Sequence, residues 1–157
     1  MPAPLLIRLL LLSLIGLLFS CAAPHEKILK VRHYHLQEVG LIDDDAAMAR
    51  GEQLYRMRGA VSMQEQSDRK GHYFTVTWHN DQPEAGDMKV VMEYLQSSTA
   101  AEVLRMSQDL PDGDRSGKME FLITGEHYRV GGQVLAWRIQ LLRNDEVVAS
   151  QQSYLWK

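Results

Sequence analysis

From Lys27 onward, hydrophobic positions recur every second residue, the period of strands that bury one face. In "HYFTVTWH", Phe74, Val76 and Trp78 fall on one side, with Tyr73, Thr75 and Thr77 on the other. The β-branched and aromatic content is what strands favour. "KMEFLIT" sets Met119, Phe121 and Ile123 on one face, and "KILKVRHYHL" reads as an earlier strand. "QVLAWRIQLL" sets Leu135, Trp137, Ile139 and Leu141 opposite Ala136, Arg138 and Gln140. "RNDE" then offers Asn144 and Asp145, two residues tolerant of left-handed backbone, as the turn of a hairpin. Its partner strand is "EVVASQQSYLW", ending in Tyr154 and Trp156.

Further strands are expected at Gln53–Val61 and Met88–Gln96, with a short helical turn in "DDDAAMARGEQ". The stretch Thr99–Met106 has two readings. Thr99-x-x-Glu102 is a capping-box pattern that would open a helix. The same residues could form an edge strand beside "VVMEYLQ", the reading favoured by the β-rich surroundings. Seven or eight short strands separated by turns give an all-β fold, an antiparallel β-sandwich, with a small β-barrel as the alternative. Trp78 on an early strand and Tyr128 before the Trp137 strand resemble the core tryptophan and corner tyrosine of immunoglobulin-like domains. The cysteine pair of that family is absent.

The first residues have another character. About a dozen uncharged residues lie between Arg8 and Cys21, whereas a helix crossing a bilayer needs roughly 20. A short start with Arg8, an apolar stretch from Leu9 to Leu18 and small Ser20 follow the layout of a secretory signal. Leu18-Phe19-Ser20-Cys21 resembles the lipobox of bacterial lipoproteins, with Phe19 where a small residue is more usual. The resemblance implies cleavage before Cys21, a diacylglyceryl group on its thiol and acylation of the new amino group. Residues 1–20 are then the signal peptide, 21–27 the lipidated cysteine and a short tether, and 28–157 the sandwich. Ala22 follows the cysteine in place of the aspartate that retains such proteins in the inner membrane, so the resemblance implies the outer membrane, facing the periplasm.

Cleavage leaves 137 of the 157 residues, with 16 Lys+Arg against 20 Asp+Glu, a formal charge of −4. That balance gives no basis for nucleic-acid binding, which needs basic patches. With Cys21 the only cysteine, no internal disulfide can form, and the core must hold the fold alone. The mature stretches "GHYFTVTW", "GKMEFLITGEHYRVGGQVLAWRI" and "SQQSYLW" also resemble small bacterial lipoproteins of uncharacterised function.

Candidate chemistry is sparse. "GDRSGKM" has only three residues between its glycines and Met119 where a phosphate-binding loop needs a hydroxyl. No G-x-S-x-G elbow is present. His33 and His35 share a strand face, as two imidazoles on one zinc or copper ion would, with His72, His79 and His127 as possible further ligands. Asp112, Asp114, Ser116 and Gly117 match the first half of a calcium loop, with Glu120 at its ninth place. Ile123 stands where the bidentate glutamate belongs, and a polar turn uses the same residues for backbone reasons. No cofactor is expected. The expected function is that of a non-catalytic binding or assembly module, anchored through Cys21 and meeting an envelope protein or ligand. A ligand-binding β-barrel lipoprotein and an envelope hydrolase are the alternatives.

Overall fold

A computed structural model describes residues 28–37, 47–99 and 102–157. Residues 1–27, on which the expected signal peptide, lipidated Cys21 and tether fall, lie outside the described residues. Seven strands form: β1 Leu29–Leu36, β2 Gly71–His79, β3 Met88–Gln96, β4 Leu104–Asp109, β5 Ser116–Thr124, β6 Val134–Arg143 and β7 Glu146–Gln152. Among the described residues three α-helices accompany them, α1 Ala47–Met57, α2 Met63–Arg69 and α3 Gly125–Gly131, with a 3-10 turn at Pro83–Ala85.

All pairings are antiparallel, in a three-stranded sheet β1-β2-β5 and a four-stranded sheet β4-β3-β6-β7. In immunoglobulin terms, β1, β2 and β5 are strands A, B and E, and β3, β6 and β7 are C, F and G. β4 lies beside β3 instead of joining the first sheet. The fold is therefore an immunoglobulin-like β-sandwich, and the barrel alternative is set aside. No ladder joins the two sheets among the described residues. At one edge the Gln151 side chain of β7 spans them instead, accepting from Val31 N–H at 2.8 Å and donating to its carbonyl at 3.4 Å.

The period-two pattern places the core. Phe74 and Val76 of the first sheet meet Val90, Met92, Ile139 and Leu141 of the second, each fully buried. Burying such side chains contributes roughly 1.5–3 kcal/mol apiece. Trp78 also lies in this core, on strand B rather than on strand C where immunoglobulin domains carry their tryptophan. Its ring lies against Gly117, where an added Cβ would come within 2.7 Å of Cζ2. The β6–β7 hairpin turns through Asn144 and Asp145 at φ 47° and 68°, as expected of a two-residue primed turn.

Three expectations are corrected, and one open choice is decided for the favoured edge strand. Gln53–Val61 is not a strand: α1 runs to Met57, replacing the expected short turn with 11 helical residues. Ala, Met, Arg, Glu, Gln and Leu favour helix, and Glu52 and Arg56 pair at i,i+4. Leu135 is exposed, because the register shifts at Leu95/Gln96 and pairs Gln96 with Val134. Val134 packs on the core in its place. β7 stops at Gln152, since the chain turns there, with Trp156 N–H bonding the Ser153 carbonyl at 3.2 Å. The Thr99-x-x-Glu102 pattern opens no helix; Glu102 N–H closes a turn on the Thr99 carbonyl at 2.6 Å. Leu104–Asp109 then forms the edge strand paired with β3.

Candidate functional site

Antiparallel register brings three histidines to one end of the space between the sheets. His33 sits opposite Phe74, and His35 opposite His72. The His35 and His72 rings stack with centroids 3.8 Å apart, and His33 stacks on Phe74 at 4.4 Å. His33 Nε2 and His72 Nδ1 are 2.7 Å apart, and the Val134 N–H reaches His72 Nε2 at 3.1 Å. That backbone donor fixes the tautomer. His72 Nε2 must accept, so its proton lies on Nδ1 and is donated to His33 Nε2. On the far side, His35 Nδ1 is 3.1 Å from the Gln37 amide nitrogen, and Nε2 is 2.8 Å from the Tyr128 hydroxyl. With Gln37 donating, His35 donates to Tyr128.

The cluster is built for neutral rings. Burial pushes the His72 pKa down to about 3, helped by the charges that His35 and His33 would carry. Burial lowers His33, with His35 adding to it, and burial alone lowers His35. Burial raises the Tyr128 phenol. Tyr128 occupies the E–F corner where immunoglobulin domains place their corner tyrosine, but here the hydroxyl meets His35 instead of upstream backbone.

His33 and His35 do share a face, but five ring nitrogens of the cluster are engaged within the protein. Among the described residues no group of three or more His, Cys, Asp or Glu is arranged to hold a metal ion. The other two histidines among the described residues lie apart: His79 is 2.9 Å from Asp81, and the His127 carbonyl accepts from Gln96. The sequence offered His72 only as one of three possible further ligands and did not place Tyr128 beside the histidines. The signal was present in period two, which sets His72 on the face of Phe74.

The calcium pattern does not close into a loop. Asp112 and Asp114 flank Gly113, whose φ of 79° suits a glycine turn, and Ser116 already begins β5 opposite His79. Both aspartates line a shallow cavity of about 230 Å³ with Trp78, Glu84 and Asp87. Glu120 is four residues along β5 on the outer face of the first sheet. There Arg56 donates to both its oxygens, at 2.9 and 2.7 Å, and Thr75 donates at 2.8 Å. The Arg56 guanidinium lowers the Glu120 pKa.

That outer face carries a groove of about 430 Å³ under α1. Arg32, Lys118, Met48, Glu52 and Tyr55 surround the Arg56–Glu120 pair, and Arg56 lies 4.2 Å from the centroid of the Tyr73 ring. Cys21 lies outside the described residues. Among those residues no helix is long and apolar enough to cross a membrane.

No family model and no curated protein matches the chain. Among solved structures it is similar to an immunoglobulin-like protein from Pseudomonas aeruginosa, at 17% identity over 52% of this chain and 69% of that one, with a TM-score of 0.33.

Proposed function

We propose that the protein is a non-catalytic binding or assembly module of the cell envelope, held at the outer membrane by acyl chains on Cys21. The observation that carries this reading is the filled sandwich. Phe74, Val76, Val90, Met92, Ile139 and Leu141 occupy the space in which a ligand-binding barrel would hold its cargo. Contact with a partner then falls to the surface, where Tyr154 is 97% exposed and its neighbour Leu155 is exposed as well. Apolar side chains of this size in solvent mark interaction sites when they group together. Two or more acyl chains anchor stably, and confinement to a thin layer raises the effective concentration for neighbouring envelope proteins.

The test is photo-cross-linking in intact cells from position 154, with position 77 as control and Cys21→Ala as the unanchored form. One stoichiometric adduct from position 154, formed only by the lipidated protein, is the expected result. The adducted partner, used as bait, should recover this protein in turn. A protein abundant in the membrane fraction but without any adduct would overturn the assembly reading.

A further inference from the structure

We propose that the outer face of the β1-β2-β5 sheet, with α1 lying on it, docks against the anionic headgroups of the bilayer. The inference rests on the lipid anchor at Cys21 and adds the face that the anchor brings down.

Charge is the first argument. The outward side chains of this sheet include Lys30, Arg32 and Lys118, all exposed. α1 adds Arg56, whose guanidinium reaches Glu120 on that sheet. Among the described residues, Glu52 and Glu120 are the only carboxylates on the same sheet face and helix, and both are taken by Arg56. Lys30, Arg32 and Lys118 make no ion pair among those residues. Four cations against two anions therefore collect on one face of a mature chain whose formal charge is −4. Asp43, Asp44 and Asp45 precede α1 in the chain and lie outside the described residues.

Shape is the second. Met48 and Tyr55 rim the groove, 81% and 67% exposed, seven residues apart on one side of α1. An interfacial helix pairs such apolar side chains with basic ones, and tyrosine favours the headgroup level.

The tether is the third. Lys30 is three residues past Lys27, and the six residues 22–27 reach at most about 20 Å. β1 starts at the pole where Glu84, Asp87, Asp112 and Asp114 gather, since Leu29 aligns with Trp78 and Trp78 with Gly117. Standing on that pole would press four carboxylates against anionic lipid. Lying on the basic face avoids this and still lets the tether reach Cys21.

The test uses the full lipidated protein in vesicles of phosphatidylcholine, with or without phosphatidylglycerol. Lipidation consumes the thiol of Cys21, so a cysteine introduced elsewhere is the single labelling site. Met48→Cys reports on the proposed face, and Ser107→Cys on the outer face of the other sheet. Quenching by spin-labelled lipid should be at least about twofold stronger at 48 than at 107 with phosphatidylglycerol present. It should fall to the level at 107 in neutral vesicles, at high salt, and in the Lys30→Glu/Arg32→Glu/Lys118→Glu variant. Equal quenching at the two sites in floating vesicles overturns the docked face while the anchor stands. Protein that does not float with the vesicles overturns the anchor and this proposal with it. If the triple variant misfolds, the salt series on the unmutated charges decides between the same two outcomes.

Discussion

The middle of the sandwich and its histidine end occupy the same space, between the same sheets, on the same alternating positions. In the middle, Val76, Met92, Ile139 and Leu141 are held by burial, which requires no orientation and no protonation state. At the end, His72 is equally enclosed, 2% exposed, yet it is stable only as a neutral ring with one nitrogen accepting and the other donating. The middle therefore sets how stable the fold is, and the end sets over which pH range. Phe74 stands at the boundary, buried in the core and stacked under His33.

The largest effect should come from the middle. Phe74→Ala removes a fully buried ring and should cost about 3–5 kcal/mol by urea unfolding, since the cavity adds to the lost transfer energy. The cost measured at pH 7.5 and at pH 6 should differ little, because no titrating group is removed. A large dependence on pH would show that the His33–Phe74 stack, rather than burial, carries the site.

The next effect separates the two regions. His72 has a folded pKa near 3 and an unfolded one near 6.5, so below pH 6.5 the unfolded chain binds the extra proton. The stability due to this group is complete above pH 6.5 and is lost as pH falls towards 3, with His33 and His35 acting in the same direction. One such proton corresponds to a slope of about 1.4 kcal/mol per pH unit at most. His72→Leu should lower stability at pH 7.5 by about 1–3 kcal/mol, because the Val134 N–H loses its buried acceptor. It should also flatten the decline between pH 6.5 and 5. A variant as acid-sensitive as the parent would place the sensitivity outside the cluster.

The same contrast explains what was legible in the sequence. Alternation at Phe74, Val76, Trp78, Met119, Phe121 and Ile123 marked the core correctly, because a buried face leaves a period-two pattern. Leu135 broke the rule because one irregular step at Leu95/Gln96 shifts the following residues, and no residue type announces a bulge. The helical segment misled because Gln53–Val61 lies on a sheet rather than in one. It reaches that sheet through Arg56 with Glu120, a pairing 64 residues apart. A capping box does exist, at Ser62-x-x-Glu65 opening α2, where both reciprocal hydrogen bonds are made. Thr99-x-x-Glu102 fits the same pattern, but the chain continues into an edge strand beside β3. The cluster was half legible. His33 and His35 are two apart on one strand, but His72 and Tyr128 reach them only through register and through the corner formed by α3.

The smallest effect tests the tautomers of that end. If the Gln37 amide donates to His35 Nδ1, His35 Nε2 carries the proton and Tyr128 accepts it. Tyr128→Phe then removes an acceptor that serves the charged ring better than the neutral one. Burial already lowers the His35 pKa, and the variant should lower it further, at a stability cost of about 0.5–1 kcal/mol at pH 7.5. The ring signals of His35, followed by NMR through a pH titration, read the direction. A rise instead would mean that the hydroxyl donates to Nε2 and favours the neutral ring, which reverses His35 and turns the Gln37 amide around. The chain from Val134 to His72 to His33 would survive that reversal, because a backbone N–H can only donate.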